Sequence, residues 1–343
     1  MQTEGSGRVP STPTPVTLHD VAKAAGVSVA TVSYVANGRT NVRISDRTRQ
    51  RVQRALDDLG YRPNALAKNL VKGTSKFIGL VADGVATTPF AGQIIHGAQD
   101  EAWRHGFVLL VANTESDRQV EREAIDMMLE HQVRGILYST WYHREIAMPP
   151  VLDTADMVLV NCFAPGSDVR AVVPDEAQGG RTATEQLLQQ GHRRIAFVNT
   201  TWESPARIER LAGYRDALAA AGVEFDPTLV IDADPNQEGG YGAYEQIRRL
   251  QASAVFCHND RVAMGLYDAV RVRGLKVPND LAIVGFDNQE VISAHLRPPL
   301  TTVQLPHYEL GAAGIRILLG LDPVPPGAVT KLVCPLVLRD SAG

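Results

Sequence analysis

The chain has 343 residues, of which 44% are hydrophobic and 21% charged, with a formal net charge of −4. That length asks for two or three domains, and no apolar run approaches the roughly 18 residues that a membrane span requires. The opening "MQTEGSGRVPSTPTP" has no apolar stretch behind a basic start, which argues against a secretory signal; its Pro, Ser, Thr and Gly read as a disordered tail over residues 1–15.

The charge is unevenly spread. Residues 16–73 hold ten Lys/Arg against four acids, a balance of +6, and the neutral tail leaves −10 for the remainder. A basic front on an acidic rear suggests a polyanion-binding module joined to something else, although a solvated charged surface would share that composition. Cys162, Cys257 and Cys334 each sit in apolar surroundings and read as buried thiols of a cytoplasmic protein. No CxxC, HExxH, GxSxG or GxxxxGK[ST] pattern occurs, so no metal, cofactor or nucleophilic catalysis is expected.

In chain order, "TLHDVAKAAG" opens with Thr17 as an N-cap and Asp20 three residues on, a capping-box spacing; Leu18, Val21, Ala22 and Ala25 follow at helical intervals until Gly26. "VSVATVSYVANG" repeats the format, with Ser28 as cap, Val32 and Val35 inward, and Asn37-Gly38 as the stop. "SDRTRQRVQRALDDLG" is the third helix, with Ser45 as cap and Val52, Ala55, Leu56 and Leu59 inside. Two short helices joined by a tight turn and braced by a third form a helix-turn-helix.

The second helix of such a unit enters a major groove, so its outward residues must be slim enough to reach base edges. Val29 and Ala30 suit thymine methyls, and Tyr34 offers a ring and a hydroxyl. Thr17, Thr31, Ser33, Asn37, Arg39 and Arg43 suit phosphates, which fix position rather than sequence. Close helix packing would explain Val29 and Ala30 equally well. "YRPNALAKNLVKG" then reads as about two helical turns, too short to stand alone; it would fold on DNA, with Leu70, beside Ala67, as a wedge in the minor groove. A plain linker helix is the alternative.

"TLHDVAKAAGVSVATVSYVANG", "RVQRALDDLGYRPN" and "ALAKNL" resemble the DNA-binding head of the lactose-repressor (LacI/GalR) family. The resemblance implies a dimer on a palindromic double-stranded operator, with Val29, Ala30 and Tyr34 reading bases and Leu70 and Ala67 in the minor groove. Many members carry arginine where this chain has Tyr34, so the operator sequence stays open.

From Phe77 onward, apolar runs alternate with amphipathic helices. "FIGLVAD", "FVLLVANT", "RGILYST", "MVLVN", "RIAFVNT", "LVID", "AVFCHND" and "LAIVGFD" are eight candidate strands, with helices over 90–105, 118–131, 176–190, 207–221, 237–250 and 260–273. The alternation predicts an α/β body with parallel sheets covered on both faces, dividing near residue 175. Ligands of such sheets bind at strand carboxyl ends, which here carry Asp83, Trp141, Tyr142, Trp202, Asn259, Asp260 and Asp287, with Arg210 on a following helix and Phe90 opening the first. Rings for stacking beside charged donors and acceptors suit a polyhydroxy ligand. Helix capping competes for Asn259 and especially Asp260, core packing for Trp141 and Trp202, and packing or a dimer contact for Trp103. His307 stands where the cleft could be lined, but a lone histidine is more often structural.

"GHRRIAFV", "CHNDRVAMGLYDAVRVRGLKVPNDLAIVGFDN" and "PPLTTVQLPHYELG" extend the resemblance to the same family's effector domain, built like periplasmic sugar-binding proteins. It implies Arg210, Asn259 and Asp287 as effector contacts, Phe90 and Ala91 lining the cleft, and three crossings between lobes, near 174, 303 and 328. The expected organisation is a tail (1–15), a helix-turn-helix head (16–61), a hinge (62–75) and an effector and dimerisation domain (76–343). Its first lobe is about 76–174 plus 304–328, its second about 175–303 plus 329–343.

The reading is a cytoplasmic, non-enzymatic, homodimeric transcriptional regulator: a repressor of sugar-utilisation genes controlled by a sugar or oligosaccharide effector. A nucleobase would stack on the same rings, and a solute-binding transport protein shares the body fold but not the head. An enzyme acting on sugars would need turnover that Asp287→Ala abolishes.

Overall fold

The computed structural model describes residues 16–39, 42–61, 75–148 and 156–343. Its contacts separate the chain at Thr74/Ser75 into two compact units.

The first unit is built by capping and one small core. Helices α1 (Leu18–Ala25), α2 (Val29–Ala36) and α3 (Asp46–Asp58) begin at Thr17, Ser28 and Ser45, whose side chains accept from the backbone of Asp20, Thr31 and Thr48. Each cap satisfies an N–H that the helix cannot pair internally. At Thr17 the box is complete, since its own N–H donates to Asp20 at 2.9 Å. Gly26 ends α1 at φ 61°, in the left-handed region where a side chain would strain. Val21, Ala22, Ala25, Val32, Val35, Val52, Ala55 and Leu56 close the core. Leu59, expected inside, is 37% exposed because it is the C-cap of α3, past the inward stripe.

The second unit holds two six-stranded sheets of matching topology. In the first sheet β1 (Phe77–Asp83), β2 (Val108–Asn113), β3 (Ile136–Glu145), β4 (Met157–Phe163) and β5 (Arg170–Pro174) lie in the order β2-β1-β3-β4-β5. In the second, β6 (Ile195–Thr200), β7 (Val230–Ala233), β8 (Ala254–Cys257), β9 (Ala282–Asp287) and β10 (Thr301–Gln304) lie in the order β7-β6-β8-β9-β10. β11 (Val329–Leu332) extends the first sheet beside β5, and β12 (Leu336–Val337) extends the second beside β10. All registers are parallel except β10 with β12.

Strands such as β1, β4 and β6 are apolar along their length because helices cover both faces. α4 (Gly92–Arg104), α5 (Arg118–Glu130) and α11 (His307–Leu318) serve the first lobe. α6 (Glu176–Gln189), α7 (Pro205–Ala220), α8 (Gln237–Arg249) and α9 (Asp260–Val272) serve the second, with the single turn α10 (Glu290–Ser293).

The chain changes sheets after β5, after β10, and between β11 and β12. That third crossing corrects the expectation of one near 328: residues 329–332 pair with β5, so they belong to the first lobe. The sequence reading also missed β5, β10, β11, β12 and α11. The strands are two to five residues long, too short for a periodic signal to build up.

Candidate functional site

In the head, α2 carries the three residues expected to read bases. Ala30 is exposed; Val29 is half-buried against the head core, which splits the packing and groove alternatives between the two residues. Tyr34 is half-buried, with the Arg39 guanidinium 5.8 Å from its ring centroid. Arg39 and Arg43 are exposed and make no ion pair among the described residues. Thr17 donates its hydroxyl to Asp20 (2.6 Å), Asn37 donates its amide to the Ser33 carbonyl (2.8 Å), and Thr31 shares a 2.9 Å contact with Ser28. Those three polar groups therefore serve their own helix ends first. Leu70 and Ala67 lie outside the described residues.

The second site is a cleft between the two sheets, about 590 Å³ counting the space open to solvent. It sits at the strand carboxyl ends, beside the points where strand order reverses in each sheet, where flanking loops diverge and leave a crevice. Phe90 follows β1; Thr200 ends β6 and Trp202 follows it; His258 and Asn259 follow β8; Asp287 ends β9. Trp141 and Tyr142 are not beyond β3, as the sequence suggested, but within it. The register with β4 shifts between Ser139 and Arg144, and this irregular stretch also turns His143 into the cleft.

Four aromatic rings form one wall. Trp141 stands edge-on to Tyr142, Trp202 and Phe90 at centroid distances of 4.7, 6.3 and 6.3 Å, and Phe90 stacks on His307 at 6.2 Å. Trp202 is 51% exposed, so it has ring surface free to cover a ligand.

The floor is a buried charge cluster. Arg210, 3% exposed, donates from Nε to Glu176 Oε2 at 2.7 Å and from Nη1 to the His258 carbonyl at 2.5 Å; Asp287 Oδ1 lies 3.8 Å from the same Nη1. Its guanidinium carbon is 3.6 Å from the centroid of the Phe286 ring. Burial alone would raise the Glu176 pKa, but the Arg210 charge and the neighbouring His143 outweigh it and bring the carboxyl down to about 2. Asp287 is pushed up to about 6, chiefly by burial, with Arg210 opposing. Burial, reinforced by the Arg210 charge, holds His258 well below the usual imidazole range, and His307 is lowered to about 4, again chiefly by burial.

Several expected site residues have other employment. Asn259 lines the cleft, yet its Oδ1 caps α9 by accepting from Val262 (2.9 Å) and its Nδ2 donates to the Pro235 carbonyl (3.1 Å). Asp260, expected as the cap, is instead buried between Thr302 and Gln289 N, each 2.6 Å away, with its pKa raised well above normal by burial and then by Asp287. Ala91 is fully buried in the first lobe's core and does not line the cleft. Asp83 faces away from it, paired with Arg144 and accepting from Ser116 N at 2.6 Å. Trp103, on α4, is 68% exposed and so is not a core residue of the lobe. His307 does line the cleft.

Glu176, His143, His258 and Arg261 were missed. Glu176 directly follows Asp175 at the end of β5, so recognising "RAVVP" as a strand would have found it.

Residues 17–64 match the model of bacterial regulatory proteins of the lacI family, and residues 184–342 match the periplasmic binding protein-like domain. Over 333 residues the chain is 33% identical to the HTH-type transcriptional regulator GalR of Escherichia coli (strain K12), covering 94% of each. It belongs to the lacI family.

The HTH-type transcriptional repressor CytR of Escherichia coli (strain K12) is another lacI-family relative, 33% identical over 339 residues and 96% of each chain. The structure of a CelR–cellobiose complex aligns at TM-score 0.65 and 33% identity, covering 95% of this chain and 99% of that one. The lac repressor dimer bound to operator and the anti-inducer ONPF aligns at TM-score 0.79 and 26% identity, covering 96% and 99%. As a lacI-family protein this chain is a DNA-binding transcriptional regulator rather than an enzyme, with an effector domain that places its DNA binding under allosteric control. Among the described residues, no helix is long and apolar enough to cross a membrane and no cluster of three ligating side chains could hold a metal.

Proposed function

We propose that the protein is a cytoplasmic, homodimeric repressor of sugar-utilisation genes, released from a palindromic operator when a sugar or oligosaccharide enters the cleft. The observation that carries this reading is the cleft itself: a wall of four rings above a buried Arg210–Glu176–Asp287 cluster, in a chain that begins with a helix-turn-helix. Rings stack on the CH faces of pyranoses, and charged groups hold hydroxyls more strongly than neutral ones do. The relatives CelR, in its complex with cellobiose, and the lac repressor, with ONPF, support the same class of ligand.

Repression and release follow from linkage. Operator binding favours one arrangement of the body, and a ligand that binds another arrangement more tightly shifts the population by its differential affinity. In the head, exposed Ala30, Tyr34 and the outer edge of half-buried Val29 read bases; Arg39, Arg43 and Ser33 hold phosphates, joined by Thr17, Thr31 and Asn37 as far as their helix-end bonds allow. The basic head makes affinity fall steeply with salt.

The test is a fluorescence-anisotropy titration of full-length protein on palindromic duplexes selected from a random pool, with and without neutral saccharides. Selection of a palindrome and its release by a saccharide support the reading. Saccharide-tightened binding would reverse the sign of control, and release by a nucleobase alone would overturn the sugar assignment.

A further inference from the structure

One charged side chain of the cleft has no partner. Among the described residues, Glu176 and Asp287 share the Arg210 charge, at 2.7 and 3.8 Å, while Arg261 makes neither an ion pair nor a side-chain hydrogen bond. Its Nε is buried and unpaired. Its guanidinium carbon lies 5.7 Å from the ring centroid of Phe90, which belongs to the other lobe, so the cation stands in the gap between the two.

Stability does not explain an arginine at this position. It is the second residue of α9, a 13-residue helix, and the macrodipole disfavours a cation in a first turn. The carboxyl of neighbouring Asp260 is no counterion: Thr302 and the Gln289 N–H occupy it, and it does not line the cleft. A buried guanidinium nitrogen without an acceptor carries a desolvation cost that nothing within the fold offsets.

The surroundings say what would complete it. Nε and the amino group beside it form the side-on edge of a guanidinium, which matches a carboxylate through two parallel hydrogen bonds. His258 stands immediately before the Asn259 cap of α9, 8% exposed, with Nδ1 buried and unpaired. Burial keeps that ring neutral, so it has one N–H to give to an anion. Nε2 of His307 and both ring nitrogens of His143 are also unpaired in the same lining, where ligand hydroxyls can both donate and accept. The free charge is single. A carboxylate would be matched by it, whereas a phosphate dianion would leave a second negative charge unpaired near Glu176 and Asp287.

Resting on the sugar reading above, we propose that the effector is an acidic saccharide, of the uronic or aldonic type, whose carboxylate is held by Arg261 with His258 beside it. Arg261 then decides which sugar is read, a role separate from that of the Arg210 cluster.

The experiment is calorimetry on the full-length protein, near pH 7.5, with matched ligands: neutral mono- and disaccharides, their uronic and aldonic acids, and their 6-phosphates. The acid that fits should bind about tenfold or more tightly than its neutral parent and than the corresponding phosphate. Arg261→Gln should cost that acid about tenfold more affinity than it costs the neutral parent. Arg261→Lys, which keeps the charge but not the two-pronged edge, should fall between. Arg261 leaves no buried partner stranded, so both variants should keep the parent's urea midpoint. A neutral sugar or a phosphate that binds as tightly as its acid overturns the inference and leaves the sugar reading standing. An Arg261→Gln loss that is equal for acid and neutral ligand does the same. Binding of nucleobases with no saccharide of either kind bound overturns the sugar reading itself.

Discussion

The head and the effector cleft are stabilised on different length scales. The caps that start the head's helices act within one turn: Thr17 caps to Asp20, Ser28 to Thr31, Ser45 to Thr48. In the cleft, Arg210 reaches Glu176 across 34 residues, the His258 carbonyl across 48 and Asp287 across 77. A local motif tolerates damage locally. A cluster assembled by tertiary structure carries buried charge, and losing one member leaves the others unpaired.

The sharpest way to break that contrast is Arg210→Leu. It strands the Glu176 carboxylate in a buried site, and removing one partner of a buried pair costs about 3–5 kcal/mol. All three tryptophans (Trp103, Trp141 and Trp202) lie in the body, so urea denaturation followed by tryptophan fluorescence reads it alone. The midpoint should fall by that free energy divided by the slope of stability against urea. An unchanged midpoint would mean the cluster is not a structural unit.

Acid titration separates members of the cluster by sign. His307 titrates near 4 in the fold against 6.5 unperturbed, so its stabilising contribution is complete above 6.5 and is lost as pH falls toward 4, about 3 kcal/mol in all. Depressed His258 acts in the same direction. Asp287, raised from 3.8 to about 6, acts in the opposite one: its contribution is present below 3.8 and disappears as pH rises through 6. Between pH 7 and pH 4.5, His307→Gln should therefore lose roughly 2 kcal/mol less stability than the parent, and Asp287→Asn should lose more. Identical acid slopes in all three proteins would refute these environments.

The smallest effect belongs to the head. Thr17→Ala removes the side-chain cap and the hydroxyl's bond to Asp20 while leaving the backbone half of the box, a loss of about 1 kcal/mol. Hydrogen exchange should quicken at the Asp20 and Val21 amides, while the tryptophan-reported transition of the body stays where it was. A shift in that transition would show that the two units are coupled in stability.

The same contrast explains what could be read in advance. The three head helices were legible to within a residue because caps and 3.6-residue spacing are written in adjacent positions; Leu59 escaped because the apolar stripe gives no sign of where the helix stops facing its neighbours. Long strands such as β1 and β6 were legible from their unbroken apolar runs. β11 was not, since Val329–Leu332 alternate exposed with half-buried and are a strand only because β5 offers an edge. In the cleft, Trp202, Arg210 and Asp287 were found at strand mouths or just after them. His143 was hidden inside a strand whose irregularity depends on β4, and Asn259 was credited with a ligand while its amide was occupied by Val262 and Pro235.

The sequence by itself determined the helix-turn-helix, the alternation of strands and helices, and the membership of most of the aromatic wall, because each depends on residues a few positions apart. Only the tertiary structure decided which carboxylate neutralises Arg210, which imidazoles remain unpaired, and where the chain makes its last crossing. Those outcomes depend on distances between residues remote in sequence, set when two sheets pack and exclude water from the space between them.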